Sequence, residues 1–228
     1  MRRQLALLAW LGAACVLGQP AALGAPGEPQ KRLTAADTQL ARRVLLARGE
    51  LGAGGWRPGR GSATGQACGI VRRVQPRLSD LVETADVSGP LFTSERAEAV
   101  AQTVRVFATP GQAAVAWTRT VNTHLVICME EQVEGSSSMG APVSVTDWRA
   151  LTLPHVTQRV AGFRVTALAT AGKTRSNVYL DVILLAQGRA MTTITFSSVQ
   201  RPVPAAYETQ LVRTVAGRLR AAAHMLSP

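Results

Sequence analysis

The chain has 228 residues, 46% of them apolar and 17% charged, with 20 Gly and 12 Pro spread along it. That profile excludes collagen-like, coiled-coil and disordered readings, and the length suits one domain behind an export segment rather than two domains. Positive charge dominates, with 25 Lys+Arg against 14 Asp+Glu for a formal +11. All of these cations except Lys31 and Lys173 are Arg, scattered between acids without interleaved aromatic residues or Gly-rich basic tracts. A nucleic-acid partner is therefore not expected. The heavy use of Arg, Ala and Gly fits a GC-rich genome as well as it fits selection for anion binding, and for the latter an anionic envelope polymer or lipid headgroup is the expected counter-ion.

Met1-Arg2-Arg3-Gln4 is a basic opening, Leu5 to Leu17 is an apolar run of signal-peptide length, and Gly18-Gln19-Pro20 breaks it. The run is shorter than the ~20 apolar residues that span a bilayer, and no later segment stays apolar long enough to anchor the mature chain. Small residues at Ala22 and Gly24 place cleavage after Gly24. The expected organisation is a cleaved leader at 1–24, a flexible mature N-terminus at 25–32 and a single domain at 33–226, secreted to the cell envelope. Cys15 stands in a poor lipoprotein context, with Leu11 one place too far upstream, so lipid anchoring there is not expected. The mature chain keeps Cys68 and Cys128. An isolated pair in an oxidising compartment reads as a disulfide, and closing so long a loop stabilises a fold by about 4 kcal/mol on the chain-entropy account.

Along the chain, Thr34 and Asp37 read as a capping box, and Ala36, Leu40, Val44, Ala47 and Leu51 repeat at helical spacing. This predicts one helix ending before Gly52. The Gly-rich stretch 52–69, which holds Trp56 and Pro58, reads as an irregular surface loop pinned by the disulfide. Ser79 to Val87 reads as a short strand. Glu98 to Phe107 alternates, with Val100, Val104 and Val106 on one side and Ala101, Thr103 and Arg105 on the other, as a half-buried strand does. Thr109-Pro110 opens a helix whose apolar stripe is Ala114, Trp117, Val121, Leu125 and Cys128.

After an acidic, Gly/Ser-rich turn from Glu130 to Gly140, a further strand fits around Trp148 to Leu153. Residues 160–170, 178–187 and 190–198 then form a meander, in which Gly188-Arg189 suits a type II′ turn and 171–176 gives a looser one. Both faces of 178–187 are apolar, so both are expected to be covered. Pro204 starts the last helix, with Tyr207, Leu211, Val215, Leu219 and Ala222 on its stripe. The expected fold class is α+β: a mainly antiparallel sheet of about five to six strands packed by three helices, an α/β sandwich.

Motifs that carry chemistry are scarce. His124, His155 and His224 stand far apart and HExxH and CxxC are absent, so neither a metal nor a cofactor is expected. Gly135-Ser136-Ser137-Ser138 runs into Met139 where a nucleophile elbow needs Gly. Gly172-Lys173-Thr174 ends like a phosphate loop but joins two strands, with Ala167 in place of the first Gly, and Gly59 to Gly65 misses the dinucleotide spacing by one residue. One cluster remains. A symmetric hairpin through 171–176 sets Thr166 opposite Asp181 with Arg164 diagonally beyond, on the sheet face that carries Tyr179 and Phe196. Arg164, Thr166, Tyr179, Asp181 and Phe196 are the candidate ligand-binding residues. A cross-strand Arg–Asp pair at the sheet surface is the plainer alternative.

Thr109-Pro110-Gly111-Gln112-Ala113 after Arg105-Val106-Phe107, Trp117 and Cys128 in the helix that follows, and Arg175-Ser176-Asn177-Val178 leading into the meander carry a resemblance. From Leu33 to Ala223 the chain resembles the extracellular sensor-like domain of actinobacterial PknH-type receptor kinases and their free-standing secreted relatives. It departs from them in the wider spacing of Trp117 and Cys128 and in lacking cysteines for a second disulfide. The resemblance implies an α/β sandwich with a cleft for an unidentified ligand, and it supplies no catalytic residues. The expectation is a secreted cell-envelope ligand-binding or sensor-like module without catalytic activity, whose partner is an unknown small molecule or anionic envelope component. Two alternatives stand beside it. One is an envelope hydrolase whose Ser, His and Asp converge only in space, for instance His155 with a serine from Ser136 to Ser138. The other is a carrier or structural protein that holds anionic polymers through its arginines.

Overall fold

The structure is a computed structural model that describes residues 27–62, 77–135 and 142–225. The expected leader with Cys15, the cysteine Cys68 and Ser136 to Ser138 lie outside the described residues, as do the side chains of Cys128 and His124.

The chain enters through a two-residue strand, β1 (Gln30–Lys31), and Thr34 then caps α1 (Ala35–Val44), its hydroxyl accepting the Asp37 N–H at 3.1 Å. The helix stops one turn and more before the periodicity of Ala47 and Leu51 suggests, and a short 3-10 turn, Arg48–Leu51, follows. The reason lies across the fold. The buried Gln102 side chain donates to the Val44 carbonyl at 3.3 Å and accepts the Leu46 N–H at 2.6 Å, so a side chain of the sheet takes the groups that another helical turn would have used.

The first part of the Gly-rich stretch is a strand, β2 (Arg57–Ser62), where an irregular loop was expected. It pairs antiparallel with β4 (Pro90–Thr93), which follows β3 (Val82–Ser88). Gly59 permits the approach, since a Cβ there would lie 3.1 Å from Thr93 Cγ2 and 3.3 Å from Leu91 Cδ2. Trp56, just ahead of β2, is buried in the core. The alternating run is β5 (Glu98–Phe107), with the bounds its pattern predicts.

Thr109 caps α2 (Pro110–Thr120) by accepting the Gln112 N–H. The single helix expected here is two, because the chain breaks at Val121-Asn122 before α3 (Thr123–Gly135). Asn122 stabilises the break by donating to the Arg119 carbonyl at 2.8 Å, while its own carbonyl accepts the Leu125 N–H. Ala113 and Ala116 are the buried residues of α2, rather than Ala114, with Trp117, Val121 and Leu125 half-buried against the core.

Four long elements complete the chain after β6 (Val143–Ala150), the strand expected slightly later in the sequence: β7 (Arg159–Ala171), β8 (Thr174–Gln187), β9 (Ala190–Val199) and α4 (Ala205–Met225). The described residues thus hold nine strands and four helices, where about five to six strands and three helices were expected. The class is α+β as read. The sheet runs β1-β3-β5-β9-β8-β7-β6, with β4 following β3 along one edge of β5, and every pairing is antiparallel except β1 with β3.

The two faces of β8 are covered by different helices. Ile183 and Leu185 pack with Leu40 and Val44 of α1 and with Leu211, Val215 and Leu219 of α4. Leu180, Val182 and Leu184 pack with Ala113 and Ala116 of α2 and with Met129 and Val133 of α3. Burying these stripes is the main driving force of the fold. The β7–β8 turn is tighter than 171–176: Gly172-Lys173 closes it, Gly172 taking φ +61, and Ala171 pairs with Thr174. The register therefore differs by two residues from the symmetric estimate. Arg164 lies directly opposite Asp181 and Thr166 opposite Tyr179, and because the slip is even, every side chain keeps its face.

Candidate functional site

The cross-strand pair Arg164–Asp181 is buried under the start of α4, not displayed at the sheet surface. Arg164 Nε donates to Asp181 Oδ1 at 2.5 Å and Nη2 to Oδ2 at 2.8 Å, a two-pronged contact that fixes the guanidinium plane. The same Nη2 donates to the Val203 carbonyl at 3.2 Å and to Glu208 Oε1 at 3.1 Å, so the first turn of α4 is tied to the middle of the sheet. Hydrogen bonding to Asp181 raises the affinity of Arg164 for its proton against the opposing effect of burial.

Two carboxyls and one guanidinium leave an uncompensated negative charge if both acids ionise. Glu208 answers this by holding its proton: burial, then the hydrogen bond to and charge of Asp181, push its pKa up to about 8 despite Arg164. The raised affinity of Glu208 for its proton lets it share a hydrogen bond with Asp181 rather than repel it. Beside it, Tyr207 stacks on Trp56 at 6.5 Å between ring centroids and meets the edge of Phe196 at 6.4 Å, its hydroxyl donating to the Leu51 carbonyl at 3.1 Å. Burial first, and the charge of Glu98 second, push the Tyr207 hydroxyl up to about 12.

On the same face, Ser198 pairs across the ladder with Tyr179 on one side and Glu98 on the other. Its hydroxyl is buried and has no hydrogen-bond partner among the described residues. Unpartnered buried hydroxyls are rare, since each forfeits its hydration. The α4 helix covers only part of this face: it meets Asp181 at Glu208 and ends beside Gly188 at Ala223. Beyond Asp181 in the other direction, Thr166, Leu168 and Tyr179 are half-buried and Asn177 and Arg175 exposed, so a polar and aromatic shelf stays open.

Of the five residues singled out from the sequence, Arg164, Asp181 and Phe196 therefore lie together beneath α4, while Thr166 and Tyr179 stand at the margin of the open shelf. Glu208 and Ser198 were not foreseen. Glu208 had a signal, because it occupies the buried stripe of α4 three and four residues before Leu211 and Val212, where an acid needs a partner. Ser198 had none, since a missing partner is a property of the folded chain alone. His155 is exposed, and among the described residues no group of three or more His, Cys, Asp or Glu is arranged to hold a metal ion. No helix among them is long and apolar enough to cross a membrane.

Searches by sequence find no match, either to a protein-family model or to a curated protein. Among solved structures, the extracellular domain of PknH from Mycobacterium tuberculosis aligns with a TM-score of 0.46 at 10% sequence identity, over 87% of this chain and 99% of that one.

Proposed function

We propose that the protein is a secreted cell-envelope ligand-binding or sensor-like module without catalytic activity, its two mature cysteines, Cys68 and Cys128, joined in a disulfide. Its ligand is a small molecule or envelope component with an anionic group, seated on the open shelf against Thr166 and Tyr179, with Arg164, Asp181 and Phe196 forming the buried wall beside it under α4. The observation that carries this reading is the Ser198 hydroxyl, buried beside Tyr179 and Phe196 without a partner among the described residues. A preorganised donor in a desolvated place is what a binding site retains at a cost to the free protein. The exposed Arg175 at the rim and the formal +11 of the chain favour an anion. The side chains of Arg164, Asp181 and Glu208 are spent on one another, which suits a scaffold for recognition better than a nucleophile awaiting substrate.

The test is a titration of the isotope-labelled chain followed by amide chemical shifts, with inorganic phosphate and, separately, dihexanoyl phosphatidylglycerol as probes. Shifts centred on Thr166, Tyr179 and Ser198 with either probe, lost in Tyr179→Ala, are expected. No shifts there, or shifts spread over the exposed arginines that vanish with salt, contradict it, the latter in favour of a polymer carrier. Ester hydrolysis abolished by His155→Ala would instead favour an envelope hydrolase.

A further inference from the structure

We propose that β6 is a docking edge for a second copy of this chain, the two β6 strands pairing antiparallel about a two-fold axis at Trp148 and joining the two sheets. β6 ends the strand order, so one of its edges faces away from the sheet. Leu151 donates its N–H to the Gly162 carbonyl at 2.8 Å, and its pair, like Arg149–Arg164 and Asp147–Thr166, is in register with β7. The alternation of an antiparallel ladder then turns the backbone groups of Trp148 and Ala150 outward. Nearer the start of the strand the edge is closed, the Glu134 carboxylate accepting the Val145 N–H at 3.5 Å. Among the described residues the open part is therefore short and centred on Trp148, a large apolar residue that stays 46% exposed.

A bulge between Val145 and Asp147 sets the charges. It shifts the strand by one residue, so that Asp147 and Arg149 lie on the face of Thr166 and Arg164 and Trp148 on the face of Val165. Both are exposed, and neither meets an opposite charge among the described residues. Three antiparallel registers match outward backbone groups with outward backbone groups, and the one that sets Ala150 against Ala150 leaves Arg149 facing the apolar Leu151 with no charge paired. Setting Trp148 against Ala150 of the second copy brings Arg149 against Arg149, like charges directly opposite, which is unfavourable. Setting Trp148 against Trp148 brings Asp147 against Arg149 of the second copy on both sides of the axis. The sequence Asp147-Trp148-Arg149 is thus complementary to itself in one register, unpaired in a second and repulsive in the third. Charges on an edge strand usually keep other strands away, but this pair selects its own kind. A short ladder, two stacked indoles and two ion pairs make a small interface, and a weak, concentration-dependent dimer is the form it takes.

Sedimentation of the purified full chain tests it. The wild type is expected to dimerise reversibly at concentrations up to about 300 µM. Arg149→Asp, which sets acid against acid, raises the dissociation constant at least about tenfold, and Asp147→Arg combined with Arg149→Asp, which restores two opposite-charge pairs with the signs exchanged, recovers it. Thermal unfolding confirms that each variant is folded. A wild type that stays monomeric over this range, a dimer indifferent to Arg149→Asp, or a double variant that does not recover overturns the proposal. If a variant fails to fold, the wild type decides alone, since a dissociation constant unmoved between low and high salt contradicts the charge pairing.

Discussion

Replacing Glu208 by Gln tests the buried cluster through its pH dependence. Folded Glu208 keeps its proton until about pH 8, whereas the unfolded chain releases it near the ordinary value of 4.5. Between those limits the native state binds one more proton than the unfolded state, so stability falls as pH rises, by up to about 1.4 kcal/mol per pH unit, and levels off above the folded value. Stability from this group is fully present below the unfolded pKa and lost on passing the folded one. Over the whole window the loss is roughly 3–5 kcal/mol if Glu208 supplies all of it. Glu208→Gln keeps the shape, can donate to Asp181 and accept from Arg164, and cannot ionise. Urea unfolding followed by tryptophan fluorescence at intervals from pH 5 to pH 9 reads the effect, and Trp56, stacked on Tyr207, lies close enough to report it. The variant should lose most of the slope and overtake the wild type at the alkaline end. Glu83, whose carboxyl is also raised by burial against the charge of Arg105, contributes a parallel decline in both proteins, so the difference between them isolates Glu208. Equal slopes in the two proteins would refute the reasoning, as would a wild type that gains stability with pH across this range.

Three further substitutions follow from the packing. Ser198→Ala removes a buried hydroxyl without a partner and should stabilise the free chain by about 1 kcal/mol in thermal or urea unfolding, whereas a loss of stability would mean that the hydroxyl is satisfied. Gln102→Leu strips partners from the Val44 carbonyl, the Leu46 N–H and the Thr192 hydroxyl, and should cost about 2–4 kcal/mol with hydrogen-exchange protection lost first at the end of α1. Gly162→Ala places a Cβ 2.6 Å from Leu153 Cδ1 and 3.2 Å from Leu151 Cβ, so it should lower stability by about 1–3 kcal/mol, and Leu153→Ala in the same chain should relieve part of that loss.

The parts of the fold legible in the sequence are those fixed by local chemistry. Thr34 and Thr109 cap where their hydroxyls reach the third residue on, and the alternation of Glu98 to Phe107 gives β5 with its bounds. The apolar stripe from Leu211 to Ala222 gives α4 its buried side. What escaped depends on partners distant in sequence. The length of α1 is set by Gln102, and β2 exists because β4 and its Leu91 and Thr93 receive a strand that reads as loop from its glycines. The candidate site divides the same way. The sequence placed Arg164, Thr166, Tyr179, Asp181 and Phe196 on one face because period-two alternation survives an even slip, but the slip itself came from the tight Gly172-Lys173 turn. That the pair is buried depends on where α4 begins, and so on the reversal from Gln200 to Pro204, whose Gln200 N–H donates to the Asn177 carbonyl at 2.7 Å.

Binding to Ser198→Ala examines the functional proposal most directly, because it separates a site from mere packing. Calorimetric titration of the wild type and of this variant with dihexanoyl phosphatidylglycerol, or with inorganic phosphate if that is the probe that shifts the Tyr179 amide, gives the two affinities. A hydroxyl kept for a ligand predicts binding at least about fivefold weaker in the variant even though the variant is the more stable protein. Equal affinities in the two proteins, or no heat of binding to the wild type with either probe, would contradict it.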